Sequence, residues 1–128
     1  MNKENTEKLY KDFPELYKEK DLSIQESSMA FGFQCDDGWF ELIYWLSKVI
    51  SHFIEADKID VTANTVKEKF GELRFYTNIS HDYISGAVDL AEYLSRRICE
   101  KCGSTKNVET GKVKGQMRIK TLCKNCRG

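Results

Sequence analysis

Four of the five cysteines stand in two close pairs, and this arrangement constrains the fold more than any other feature of the chain. Cys99 and Cys102 form the first C-x2-C pair, and Cys123 and Cys126 form the second after twenty intervening residues. Two residues between cysteines give a tight knuckle, so the four thiolates can converge on one tetrahedral metal ion. The segment between the pairs divides into two strand-like pieces, as in a zinc ribbon. The sequence therefore predicts a Zn²⁺ ion bound by all four cysteines, with an iron centre or redox dithiols as the alternatives.

The predicted zinc is structural. Four thiolates fill the tetrahedron and leave no open position for a water molecule, which a catalytic zinc normally keeps. No His-x-Glu motif precedes the pairs, which argues against a deaminase-type centre. Zinc binding of roughly 10–16 kcal/mol is sufficient to fold a short module that has no large core of its own.

The charges divide the chain into two parts. Residues 96–128 contain ten Lys and Arg against two Glu, a formal charge of +8, although the whole chain of 128 residues is neutral. We therefore expect an acidic α+β body at 1–97 and a basic zinc-ribbon-like module at 98–128. No apolar run is long enough to span a membrane and no signal-peptide core follows Met1, so we expect a cytoplasmic protein without a membrane partner.

The body is predicted to contain a small sheet or hairpin packed on two amphipathic helices. Apolar residues recur three and four apart from Trp39 to Phe53, which predicts a first helix capped by Asp36 or Asp37. Residues 61–70 and 73–79 predict two strands joined by a short turn.

Two further elements complete the prediction. Ser80 is expected to cap the second helix, which runs into the first cysteine pair, and Gly86 within that helix suggests close packing. The weak alternation of Ser27–Cys35 predicts another strand.

The predicted hairpin carries a candidate ligand site. Arg74 has a planar guanidinium that suits carboxylate or phosphate, Tyr76 offers a ring for stacking, and Lys69 lies nearby. We include Trp39 in this candidate site because its helix is expected to lie close to the hairpin. The alternative is that these residues form an ordinary sheet face covered by the helix.

The basic tail carries a second candidate surface. Lys112, Lys114, Arg118 and Lys120 can contact the phosphates of nucleic acid. The alternative is a solvated face, or charge that pairs with the acidic body of the same chain. No aromatic residue lies between 95 and 128, so the tail alone has no stacking platform for single strands.

Enzymatic motifs are weak. Cys35 with His52 or His81 would be a thiol nucleophile and base, and Asp36 with Asp37 would be a carboxylate pair. A free cysteine is more often a small buried apolar residue, and adjacent acids before a helix are more often caps. Neither a glycine-rich phosphate loop nor a G-x-S-x-G motif occurs.

Three blocks in order carry a resemblance to a known family. They are CDDGWF at 35–40, VKEKFGELRFY at 66–76, and the cysteine pairs ICEKCG at 98–103 and TLCKNC at 121–126. The chain resembles small bacteriophage and prophage proteins with G-D-G-W, E-K-F-G-G-L-R-F-Y and a paired-cysteine tail. The resemblance covers most of 28–126 and departs at Asp36 and Glu72, where the family tends to have Gly. It implies a phage setting, hence the cytoplasm of a host cell, and names no reaction.

These observations lead to three hypotheses. The first is a non-enzymatic, zinc-containing phage-type binding protein that acts on a host protein or sequesters a small phosphorylated or nucleotide ligand, with an anti-defence role. The second is a nucleic-acid-binding zinc ribbon. The third, least supported, is a small enzyme that uses a thiol or a carboxylate pair.

Overall fold

The fold is α+β, as the sequence predicts. The computed structural model describes residues 1–128. Its helices and strands follow one another as α1 (Lys3–Asp12), β1 (Phe33–Gln34), α2 (Phe40–Asp57), β2 (Ala63–Lys69), β3 (Glu72–Thr77), α3 (Asp82–Ser95), β4 (Val108–Lys112), β5 (Ile119–Cys123) and α4 (Lys124–Arg127). Strands β1, β2 and β3 form one sheet in that order, and β4 and β5 form a separate hairpin.

Helix α2 is the predicted amphipathic helix, and its buried face lies in the centre of the core. Ile43, Leu46 and Ile50 are buried. The core cluster also contains buried residues from the other elements of the body: Leu9, Phe13, Val66, Leu73, Phe75 and Ile84. Val49, which the apolar pattern includes in the core, is exposed, so the buried stripe is narrower than predicted.

The start of α2 differs from the prediction that an aspartate caps it. A 3-10 turn at Asp37–Trp39 leads into the helix, and Asp36 makes no capping bond with its side chain. The Asp37 carboxylate instead accepts hydrogen bonds from the Asn2 amide at 2.8 Å and the Asn5 side chain at 3.1 Å. The predicted helix cap was wrong because the Asp37 carboxylate binds the first turn of α1 to the loop before α2.

The predicted strand at Ser27–Cys35 is also mostly wrong. Ser27 starts a 3-10 turn at Ser28–Phe31, since its hydroxyl accepts a hydrogen bond from the Met29 amide at 3.2 Å. Gly32 ends the turn with a φ of +70°. Only two residues remain for β1, which pairs in parallel with β2.

The predicted hairpin is confirmed. Strands β2 and β3 are antiparallel and joined by a two-residue turn, Phe70 and Gly71. Both residues have positive φ, 54° and 79°, as a type I′ turn requires.

Helix α3 covers the free edge of β3. The Leu73 amide donates a hydrogen bond to the Ser95 hydroxyl at 3.0 Å, and the Phe75 amide donates to the Glu92 carboxylate at 2.9 Å. These two side chains satisfy backbone donors that an edge strand would otherwise expose.

Two details of α3 differ from the sequence-based expectation. The helix is capped by His81, whose Nδ1 accepts from the Ile84 amide, and not by Ser80. A Cβ at Gly86 would meet nothing within 4 Å, so the expected close packing there is absent. No helix of the structure has the length and apolar character needed to cross a bilayer.

Candidate metal centre and basic surfaces

The four paired cysteines come together in space. The sulfur atoms of Cys99, Cys102, Cys123 and Cys126 all lie within 4.8 Å of one another, and the Cys102 and Cys123 sulfurs are 3.7 Å apart. The first pair lies on a turn closed by Gly103, whose φ is +81°. The second pair spans the end of β5 and the single turn of α4. These four thiols are close enough to hold one metal ion.

Backbone amides favour the thiolate form of one member of the cluster, Cys99, whereas hydrogen bonds from neighbouring cysteines raise the pKa of the Cys126 thiol. Burial alone would raise the pKa of the Cys99 thiol, but the amides of Cys102, Cys123 and Lys101 donate to its sulfur and lower the pKa to about 7. A thiol with such a pKa is deprotonated to a large extent at neutral pH, which is the form that binds metal.

The hairpin between the cysteine pairs is braced by one arginine. Arg127 donates hydrogen bonds to the carbonyl oxygens of Gly111, Lys112 and Lys120, and also to that of Glu109. The guanidinium therefore ties α4 to both strands of the β4–β5 hairpin. This arginine is part of the internal structure of the module and contributes less than the sequence suggests to its free positive charge.

The ribbon module is docked firmly on the body through Glu100, which lies between the first two cysteines. The Glu100 side chain is almost completely buried, at 1 % exposure. Its carboxylate accepts from the Asp36 amide at 3.0 Å and from Lys120 Nζ at 3.3 Å. Lys120 Nζ also donates to the Glu68 carboxylate at 2.9 Å. One buried ion-pair network thus joins the first cysteine knuckle, strand β5 and the hairpin of the body.

The G-W pair of the first resemblance block is part of this junction. The Gly38 amide donates to the Glu100 carbonyl oxygen at 2.7 Å, and a Cβ at this position would lie 2.1 Å from the Cys99 carbonyl oxygen. Trp39 is fully buried, and its indole Nε1 donates to the Ile98 carbonyl oxygen at 2.9 Å. The structure therefore does not place Trp39 at a surface with Arg74. It is a core and docking residue.

The second resemblance block meets the ribbon at its turn. The Thr121 hydroxyl donates to the Gly71 carbonyl oxygen, and the Gly71 amide donates to the Glu68 carboxylate at 2.7 Å. A Cβ on Gly71 would lie 2.8 Å from Thr110 Cγ2. Gly38 and Gly71 are thus places where the body and the ribbon approach each other closely.

The basic residues proposed for nucleic-acid contact divide into two groups. Lys120 is mostly buried and is neutralised by the two glutamates of the junction, so it does not belong with the others. Lys112, Lys114 and Arg118 are exposed and make no ion pair. The tail therefore pairs in part with its own acidic body and keeps a free cationic end at the tip of its hairpin.

Three of the four residues proposed for ligand binding share one surface. Lys69, Arg74 and Tyr76 alternate with buried residues of β2 and β3, so they point away from the core. We call this surface the outer sheet face and define it by the following residues: Thr65, Lys67, Lys69, Glu72, Arg74 and Tyr76. Sequence reasoning missed Lys67, which pairs in register with Arg74. The two-residue turn fixes that register and was the signal available for finding it.

Arg74 is held in place on the outer sheet face by a neighbouring carboxylate. Its guanidinium NH1 lies 2.8 Å from Glu72 Oε1, and Arg96 lies 3.6 Å from the other oxygen of the same carboxylate. Tyr76 is about half exposed. The face therefore carries more cations than carboxylates beside an accessible ring.

The thiol and carboxylate hypotheses find no assembled site. Cys35 is buried, and burial raises the pKa of its thiol to about 12, which opposes nucleophilic chemistry. His52 and His81 contact the Phe53 ring near the far end of α2, roughly 20 Å along that helix from its first residue, Phe40. Of the adjacent aspartates, Asp37 binds α1 through its carboxylate, whereas Asp36 contacts Glu100 of the ribbon through its backbone amide.

Comparison with protein-family models, with curated proteins and with solved structures gives no significant match to this chain. The features that bear on function are therefore the four-cysteine cluster, the junction and the two basic surfaces.

Proposed function

We propose that this protein is a non-enzymatic binding protein whose four cysteines hold a structural Zn²⁺ ion. A tetrahedral zinc with Zn–S bonds of about 2.3 Å has sulfurs about 3.8 Å apart, and the Cys102 and Cys123 sulfurs lie 3.7 Å apart. An all-cysteine donor set is typical of structural zinc. The role of the ion is to fix the ribbon so that it docks on the body.

The ligand we propose is a phosphorylated molecule of the nucleotide class. The observation that carries the proposal is the grouping of Lys67, Lys69 and Arg74 with Tyr76 on the outer sheet face. A guanidinium binds phosphate oxygens in a bidentate way, ammonium groups add point charge, and a tyrosine ring stacks on a base. The buried face of the same strands forms the core, so binding requires no rearrangement of the fold.

The phage resemblance supplies a setting for this proposal. A protein that retains nucleotides without converting them would act by lowering the free concentration of a nucleotide signal in the host cytoplasm. An anti-defence role of this kind needs only affinity and abundance.

The test is a calorimetric titration of zinc-loaded protein with nucleoside triphosphates and with cyclic dinucleotides. We expect Arg74→Ala to weaken binding about 10- to 100-fold, the range for hydrogen bonds to charged groups, while the melting temperature stays nearly constant. Lys48→Ala on α2 is the matched control, because this exposed lysine lies on the helical layer.

A second variant protects the test from a folding artefact. If Arg74→Ala lowers the melting temperature, Lys67→Ala removes a cation from the same face without disturbing the Arg74–Glu72 pair. Unchanged affinity in both variants, or no binding of any phosphorylated probe, would refute the proposed ligand class.

A host protein is the second candidate partner, and one observation favours it. Helices α2 and α3 expose large apolar side chains, including Trp45, Tyr83, Leu90 and Tyr93. Exposed apolar groups of this size, with tyrosine and tryptophan prominent, are typical of protein-binding surfaces. Acidic residues such as Asp89 lie beside them, which favours a partner whose contact surface is apolar with basic residues around it.

This candidate has its own discriminating variant. Leu90→Glu should abolish binding of a host protein while nucleotide binding stays unchanged, because Leu90 is exposed on α3 and is not part of the outer sheet face. If a captured host protein binds the Leu90→Glu variant and the unaltered chain with equal affinity, this surface is not its binding site.

A further inference from the structure

We infer that the phosphorylated ligand is a single-stranded nucleic acid, whose path leaves the outer sheet face over Phe70 and continues onto the tip of the ribbon hairpin. This inference rests on the proposed function, because it extends the same basic face. It adds a stacking residue, Phe70, and an apolar ribbon residue, Met117, and it places both beside Arg118, which the sequence assigns to the basic tail.

The conformation of Phe70 is the first observation. It occupies the first central position of the type I′ turn with a φ of 54°, and its side chain is 66 % exposed. Asn, Asp and Gly are the residues that this position favours, since a bulky side chain in the left-handed region is sterically disfavoured. An exposed phenyl ring in a position that local stability opposes suggests a role in binding.

The surroundings of Phe70 are the second observation. Across the body–ribbon junction, Phe70 lines a shallow depression of about 280 Å³ together with Met117, Arg118 and Ile119, and with Glu68, whose carboxylate is paired with Lys120. Met117 is the most exposed large apolar residue of the chain, at 85 %. The ribbon has no aromatic residue of its own, but docking on the body places an exposed ring beside its tip.

The charge around this ring is the third observation. The Lys69 ammonium lies 5.8 Å from the centre of the Phe70 ring. Arg118 lines the same depression, and Lys112 and Lys114 lie in or beside the ribbon turn that Val113 and Arg118 close by a backbone hydrogen bond. None of these cations has an ion-pair partner in the protein, whereas Lys120 nearby is neutralised.

These features fit unpaired bases better than a duplex. A phenyl ring can stack on a base only when the base is free of its neighbour, and cations on both sides of it can follow the phosphates. Lys69 belongs to both the outer sheet face and the Phe70 surroundings, so it connects the two surfaces into one path.

The experiment is fluorescence anisotropy with zinc-loaded full-length protein and labelled oligo(dT) and oligo(U) of about twelve nucleotides, within the range of single-strand sites. The same measurement uses a duplex of equal length and a mononucleotide. We expect the single strands to bind more tightly than the duplex and the mononucleotide, with an affinity that falls steeply with salt.

Substitutions at Phe70 give the decisive readout. Phe70→Asn should weaken single-strand binding about 5- to 150-fold, the loss of one stacked base, while the melting temperature rises because Asn suits the turn. Phe70→Trp should retain binding, and Trp45→Ala on α2 is the control for an exposed aromatic outside the path. The double substitution Lys112→Ala with Lys114→Ala should reduce the slope of log affinity against log salt concentration by about 1.4.

The outcomes separate this inference from the proposed function. Mononucleotide binding that depends on Arg74, with no added affinity for oligonucleotides and no effect of Phe70→Asn, would overturn the inference and leave the proposed function standing. Oligonucleotide binding that depends on Phe70 but not on Arg74 would overturn the outer sheet face as the ligand site. Tighter binding of an acidic peptide, such as oligo-glutamate, than of either oligonucleotide would overturn the inference as well.

Discussion

Replacement of Gly38 by alanine tests the junction between body and ribbon most sharply. The added Cβ would lie 2.1 Å from the Cys99 carbonyl oxygen and 2.3 Å from that of Glu100. Both atoms belong to the backbone of the first cysteine knuckle, so no side-chain rotation can relieve the overlap. The ribbon and the loop must therefore move apart.

The expected cost follows from the contacts that this movement breaks. Overpacking in a tight interior costs about 1–3 kcal/mol. Loss of the Gly38–Glu100 backbone hydrogen bond, with weakening of the Trp39–Ile98 bond, adds about 0.5–1.5 kcal/mol each. We therefore expect Gly38→Ala to lower the free energy of unfolding by about 3–5 kcal/mol, and the melting temperature by about 12–20 °C for a domain of this size.

Gly86→Ala is the matched control and should act in the opposite direction. Gly86 lies inside α3, and a Cβ there would meet nothing within 4 Å. Replacement of an exposed helical glycine by alanine stabilises by about 1 kcal/mol. Urea and thermal unfolding of both zinc-loaded variants measure the contrast. A Gly38→Ala protein within 1 kcal/mol of the unaltered chain would refute the junction as described.

Three further predictions concern the ion-pair network, pH and the metal. Lys120→Met should lower the free energy of unfolding by about 3–5 kcal/mol in urea titrations at pH 7, because it leaves the buried Glu100 and Glu68 carboxylates unpaired; a loss below 1 kcal/mol would contradict this. Burial raises the pKa of Glu92 above its ordinary value, so the native protein favours the protonated form and loses stability as pH rises through the folded pKa. Glu92→Gln keeps an acceptor for the Phe75 amide but carries no titrating group. The free energy of unfolding of this variant, relative to that of the unaltered chain, should therefore increase between pH 4 and pH 7. A difference that stays constant over this range would contradict a raised pKa for Glu92. Chelation of the metal should unfold the ribbon and also lower the melting temperature of the body. Circular dichroism and tryptophan fluorescence measure these two changes. An unchanged melting temperature of the body would mean that the ribbon is not docked in solution.

The convergence of the four cysteines and the hairpin could be predicted because their signals are local. The spacing of the cysteine pairs determines how their thiols converge, whatever surrounds them. The hairpin follows from two apolar alternations separated by a short turn, and the α2 pattern follows from the helical period. The hairpin and helix signals depend on residues within about one element of each other, and the cysteine signal depends on the spacing within each pair.

The junction could not be predicted because its partners are far apart in the chain. Trp39 looks like a free aromatic beside a helix, but its indole donates to the Ile98 carbonyl oxygen, 59 residues away. Lys120 looks like a phosphate ligand, but its ammonium lies between carboxylates 52 and 20 residues away. The tertiary contacts of these two side chains determine their roles, and composition gives no sign of them.

The sequence contains a signal for the unusual conformation of Phe70. An aromatic residue directly before glycine in a two-residue turn must have a positive φ, and this mismatch between residue and conformation is visible in the sequence once the hairpin is predicted. The closeness of Phe70 to Met117 could not be predicted, because the ribbon is held at this turn by contacts between residues far apart in the chain, such as Thr121 with Gly71 and Lys120 with Glu68.

The central claim is that the outer sheet face, Phe70 and the ribbon tip form one surface for a single-stranded phosphorylated ligand. The most direct measurement is the map of amide chemical-shift changes in zinc-loaded protein titrated with a short single-stranded oligonucleotide. We expect the changes to concentrate at residues 65–76 and 112–119, with α2 unaffected. No changes at saturating oligonucleotide, or changes confined to α2 and α3, would contradict the claim.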